Sequence, residues 1–103
     1  MTAPAAQGAA PACWQARVEG RVQGVGYREA CVAQAQALGV RGWVRNRLDG
    51  SVEVLMQADE ATLARMAAWL RQGPAAARVE AVRVEPLAPP WETCRRFERR
   101  PSA

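Results

Sequence analysis

The chain has 103 residues, half of them apolar, with a net charge of +4 and a pI of about 9.8. That length suits one domain with a modest core and would starve two. Histidine and lysine are absent and all fourteen cations are arginine, which excludes Ser-His-Asp and Cys-His nucleophile pairs, histidine metal sites, Walker A loops and Schiff-base lysines.

Residues 1–12, rich in Ala, Pro and Gly, predict a disordered tail rather than a signal peptide. The folded domain is expected over 13–100. Trp14, Ala16, Val18, Gly20 and Val22 alternate with Gln15, Arg17, Glu19 and Arg21, the pattern of a half-buried strand. A glycine-rich stretch follows. Tyr27, Cys31, Ala35 and Leu38 then recur at helical spacing, and Gly39 closes the helix. "VRGWVRN" predicts a second strand, Asp49-Gly50 a hairpin turn, and "SVEVLMQ" a third strand with Val52, Val54 and Met56 on one face. Asp59 is placed to cap a second helix, whose buried stripe is Leu63, Met66, Ala67 and Leu70 and which Gly73-Pro74 ends. "RVEAVRVEPL" predicts a fourth strand. Pro86, Pro89 and Pro90 then break the chain before a short strand near 96–99 that buries Phe97. Trp43 and Trp69 are expected in the core.

The order β-α-β-β-α-β with a short fifth strand predicts an α+β, ferredoxin-like fold with two helices on one face of an antiparallel sheet. A right-handed crossover makes the first two strands parallel, with the third between them. The glycine-rich loop and Asn46 therefore end on one side of the sheet, two strand spacings apart, and Arg28 at the loop's exit is long enough to span much of that gap. RNA-recognition modules of this fold class stack bases on sheet aromatics. The third strand has none, and no nucleic acid is expected as a partner. No apolar run approaches a membrane span of about 20 residues. Cys13, Cys31 and Cys94 are distant from one another and form no CxxC. They predict free thiols in the cytoplasm rather than a disulfide framework or a zinc site.

Residues 20–28, "GRVQGVGYR", hold three glycines and then an arginine at a helix start. Glycines permit φ > 0, successive N–H groups form an anion nest, the helix dipole adds to it, and Arg28 supplies a bidentate guanidinium. A cation in the first helical turn opposes the dipole unless an anion lies between them. The plainer alternative is that these glycines serve only a bulge and a tight turn, and that Asn46 is a turn residue. Arg21, Arg41, Arg45 and Arg47 read as a solvated basic rim, Glu29 as a first-turn residue, and Gln23 as a residue that acts through its backbone.

The stretch from Val18 to Val54 resembles the acylphosphatases. It carries both the G-x-V-Q-G-V-x-[FY]-R loop, at 20–28, and G-[FYW]-V-x-N, at 42–46, and the resemblance runs over roughly 14–99. It implies hydrolysis of the carboxyl-phosphate bond of acyl phosphates with no metal or other cofactor; a monomer is the default expectation. It gives Arg28 the role of phosphate ligand and Asn46 that of orienting the attacking water. Gln23, Gly24, Val25, Gly26, Tyr27 and Arg28 provide the backbone cradle. Inorganic phosphate is the implied product. Arg47 stands where the family often has threonine or a small or apolar residue, a departure that bears on the pocket mouth. Acylphosphatase-like segments also open the larger carbamoyltransferases of hydrogenase maturation, which continue into zinc-binding cysteine motifs. This chain shows none, and a single-domain enzyme is expected.

Overall fold

The computed structural model describes residues 10–103, so most of the expected tail, residues 1–9, lies outside the described residues. The elements are β1 (Ala12–Arg21), α1 (Tyr27–Leu38), β2 (Arg41–Asn46), β3 (Val52–Ala58), α2 (Glu60–Gln72), β4 (Arg78–Pro86) and β5 (Phe97–Arg99). β1 starts two residues before its alternation suggests, because Ala12 and Cys13 already pair with Ala58 and Gln57. Val22 lies just beyond β1 and is still buried.

The sheet order is β4-β1-β3-β2-β5. β1 and β2 are each antiparallel to β3, so they run parallel to each other and end on the same side of the molecule. A register shift between Glu19 and Gly20 in the β1–β4 ladder turns the end of β1. The sheet is mixed, not wholly antiparallel as expected: β5 runs parallel to β2, from Gly42↔Phe97 to Val44↔Arg99. The reason is the route of the chain. It leaves β4 at one edge, crosses the open face as residues 87–96, and turns back at the other edge, opposite in sense to β4 and therefore along β2.

Two apolar clusters follow from strand alternation. On the helix face, Val18, Val44, Val52, Val54 and Met56 pack against Tyr27, Cys31 and Ala35 of α1 and Leu63, Met66 and Leu70 of α2. On the other face, Cys13, Trp43, Leu55 and Cys94 form a smaller cluster with Leu87 and Trp91. Trp43 is buried as expected, but its neighbour Val44 takes the helix side and leaves Trp43 under residues 87–96. Gln57 fastens that segment: its side-chain amide donates to the Glu92 carbonyl, and its Oε1 accepts the Cys94 N–H at 2.9 Å. Among the described residues, no helix is long and apolar enough to cross a membrane.

Candidate active site

The loop between β1 and α1 reaches the helix through Gly24 and Gly26, at φ 74° and 80°. Side chains rarely adopt these left-handed values. A Cβ at either position would meet nothing within 4 Å, so backbone conformation rather than crowding calls for glycine. Gly26 occupies the N-cap of α1 and offers no side-chain cap. The first helical bond runs from Ala30 N–H to Gly26 O at 3.1 Å. Among the described residues, the backbone N–H groups of residues 23–29 find no acceptor in backbone or side chain. Seven successive donors at the positive end of a helix dipole are left over, the arrangement that seats anions.

A pocket of about 150 Å³ lies over this junction. Its wall brings together Gly24, Gly26, Tyr27 and Arg28 from the loop and α1 with Asn46 from the end of β2. Residues 18 apart in sequence thus meet because β1 and β2 end on one side of the sheet. Gln23 and Val25 are not in the wall. Val25 packs against the main core. The Gln23 side chain turns the other way, and its Nε2 donates to Arg47 O at 2.8 Å and Ser51 O at 2.9 Å. The expectation that Gln23 acts through its backbone alone is therefore incomplete: its amide ties the loop to the hairpin that follows Asn46. Tyr27 lines the pocket and its N–H has no acceptor, while its ring is buried and its hydroxyl donates to Leu70 O at 2.7 Å, anchoring α1 to α2. Burial pushes the Tyr27 hydroxyl and the Cys31 thiol well above their ordinary ranges, which leaves both as neutral packing groups.

Asn46 is held by its neighbours on both sides. Its carbonyl accepts the Ala103 N–H at 3.0 Å, and the next residue donates its N–H to Ser51 O at 2.8 Å. Asp49 closes the turn by accepting the N–H and hydroxyl of Ser51 at 2.9 and 2.6 Å. With this backbone fixed, the Asn46 Oδ1 is buried and has no hydrogen-bond partner. A buried acceptor without a partner is costly, and the residue that carries it lines the pocket.

The cations sort into two groups. Arg28 makes no ion pair among the described residues, whereas Arg45 and Arg47, expected on a solvated rim, both reach the buried Glu53 at 2.9 and 3.2 Å. Alternation along β2 sends their side chains to the open face while Asn46 faces the helices, so Arg47 does not guard the pocket mouth. Sequence reasoning missed Arg99, which lines the pocket and bonds Glu29, also in the wall, at 2.6 Å. No local signal marks that pair, because it depends on β5 docking beside β2. A wider depression of about 490 Å³ lies on the open face around Arg17, Glu19 and Arg83. Its cations are already paired, Arg17 with Asp49 and Arg83 with Glu19, which leaves no free charge for an anion.

Fold and pocket together define a ferredoxin-like α+β protein with an open helix start facing an unpaired arginine. A family model described as Acylphosphatase matches residues 14–99. An acylphosphatase of Polaromonas naphthalenivorans is 49% identical over 89 residues, covering 86% of this chain and 88% of that protein. Acylphosphatase 1 of Ralstonia nicotianae is 54% identical over 86 residues, 84% of each chain. The solved structure of an acylphosphatase from Coxiella burnetii superposes with a TM-score of 0.82 at 32% identity, covering 87% of this chain and 93% of that one. The chain belongs to the acylphosphatase family.

Proposed function

We propose that the protein hydrolyses acyl phosphates to a carboxylate and inorganic phosphate, with Arg28 and Asn46 as the catalytic pair. The observation that carries this reading is that one small pocket is lined by Gly24, Gly26, Tyr27 and Arg28, whose N–H groups have no acceptor and whose arginine makes no ion pair, and by Asn46, whose amide oxygen has no partner. The phosphoryl dianion sits on the N–H groups of Gln23, Gly24, Val25, Gly26, Tyr27 and Arg28, and the Arg28 guanidinium grips two of its oxygens. Asn46 Oδ1 accepts a hydrogen bond from the water and aims its oxygen at phosphorus. As the bond from water to phosphorus forms, the bond from phosphorus to the acyl oxygen breaks. The carboxylate departs with the electron pair, and the water's proton ends on the phosphate product. Phosphoryl transfer asks mainly for positioning and charge stabilisation. A carboxylate leaves without a general acid, so the chemistry asks for neither a metal nor another cofactor. Family membership supports the substrate class. Three buried free thiols, Cys13, Cys31 and Cys94, support a cytoplasmic setting, and we assign the enzyme as a monomer.

The test is hydrolysis of acetyl phosphate by the purified chain in the presence of EDTA. Turnover that persists, with inorganic phosphate as a competitive inhibitor, is expected. Activity lost to EDTA and restored by Mg²⁺ would refute the metal-free route, and no turnover under any condition would refute the function.

A further inference from the structure

Glu29 presents a difficulty for the proposed site. It follows Arg28 directly, lines the same pocket, and carries a negative charge where a dianion is to bind. A carboxylate in the first helical turn is favoured by the dipole, but beside a phosphoryl group it repels. β5 supplies the remedy. Phe97 is buried on the helix side of the sheet, so Arg99, two residues on, projects on that side as well. Its register beside Val44 puts it next to the strand that ends in Asn46. From there its Nη1 donates to Glu29 Oε2 at 2.6 Å.

We propose that Arg99 is a positioning residue that neutralises and holds Glu29, keeping the pocket net positive and Arg28 free for the phosphoryl group. This rests on the acyl phosphate reading of the pocket. Two observations favour it over a purely structural role. The side chains of Arg99 and Glu29 are 49% and 72% exposed, and an exposed pair contributes little to folding stability. Arg28, meanwhile, makes no ion pair among the described residues, and Glu29, the carboxylate in the pocket wall, is engaged by Arg99. With Arg28, Glu29 and Arg99 charged, the wall sums to +1. Losing Arg99 takes it to zero, losing Glu29 takes it to +2, and losing both returns it to +1. The device depends on β5 lying parallel to β2, so a segment far from the catalytic loop in sequence sets the charge of the pocket.

The experiment measures inorganic phosphate binding by calorimetry, alongside its inhibition of acetyl phosphate hydrolysis, in four proteins at low ionic strength: wild type, Arg99→Leu, Glu29→Gln and the double variant. Arg99→Leu should weaken phosphate by about ten-fold through the uncompensated carboxylate. Glu29→Gln should tighten it, and the double variant should return to within about two-fold of wild type. The Arg99→Leu defect should also shrink as salt rises. A double variant as weak as Arg99→Leu would overturn the proposal, since Arg99 would then be touching the anion itself or only supporting β5. An Arg99→Leu protein that binds phosphate like wild type would overturn it equally. Failure of wild type to bind phosphate at all is a separate result, which would count against the acyl phosphate reading itself.

Discussion

Helix α2 starts on Asp59, whose carboxylate accepts the Thr62 N–H at 2.9 Å. Helix α1 starts on Gly26, in a left-handed conformation with no side chain to offer. The two helices have 12 and 13 residues and pack on the same face of the same sheet, so the difference is not one of size or setting. A helix selected only for stability gains from a capping side chain, and glycine gives up a few tenths of a kcal/mol relative to the best caps. At α2 a side chain takes up one of the first-turn donors, the Thr62 N–H. At α1 the chain leaves its first donors open, over a pocket that also holds an unpaired arginine and an unpartnered amide oxygen. A capped helix start belongs to the scaffold, and the uncapped one is where we propose that the ligand sits.

The contrast breaks most visibly at Arg28. Arg28→Ala is expected to lower kcat/KM by about 10³-fold, and Arg28→Lys to restore little, because an ammonium lacks the bidentate fork. Activity within a few-fold of wild type in Arg28→Ala would remove the pocket from the mechanism. Next in size is Asn46→Ala. Here kcat should fall by about 10²-fold through lost positioning of the water, while inhibition by phosphate persists. Loss of phosphate affinity at constant kcat would require the two roles to be exchanged. Gln23→Ala should cost less: about ten-fold in kcat, as the loop and the Asn46 hairpin lose register, and about 1 kcal/mol of stability for the lost bonds to Arg47 O and Ser51 O. Denaturant unfolding and steady-state kinetics on the same sample measure both.

The smallest effect belongs to the closed helix start. Asp59→Ala should lower the melting temperature by a few degrees and leave kcat/KM unchanged. Hydrogen bonds from Thr62 hold the Asp59 carboxyl below its ordinary range. A depressed folded value means that the cap contributes fully above the unfolded carboxylate pKa and fades as pH falls through the lowered value. The gap in melting temperature between wild type and Asp59→Ala should therefore close in acid. A gap that widened in acid would show that Asp59 acts through something other than its charge.

Much of this could be read before the structure. Alternation marked the first and third strands, Asp59 and Gly39 marked helix ends, and Gly24, Gly26, Arg28 and Asn46 stood in patterns that local conformation and a crossover rule bring together. What could not be read depends on contacts between distant segments. Residues 87–96 carry no periodic pattern, yet they cover Trp43 on the open face. Arg45 and Arg47 looked solvated because nothing local announces that Glu53, on the neighbouring strand, is buried between them. Gln23 reaches a hairpin more than twenty residues away, and Glu29 meets Arg99 across seventy residues. These side-chain choices are made by docking, which follows from the sheet order and not from any one segment.

The central claim, that the start of α1 is open for an anion and the start of α2 is not, is tested most directly by amide NMR during titration with inorganic phosphate. The backbone amides of Gly24, Gly26, Tyr27 and Arg28 should shift in a saturable way, together with the Asn46 side chain, while those of Glu60, Ala61 and Thr62 stay in place. Equal shifts at both helix starts, or saturable shifts that spare residues 23–29, would contradict the account.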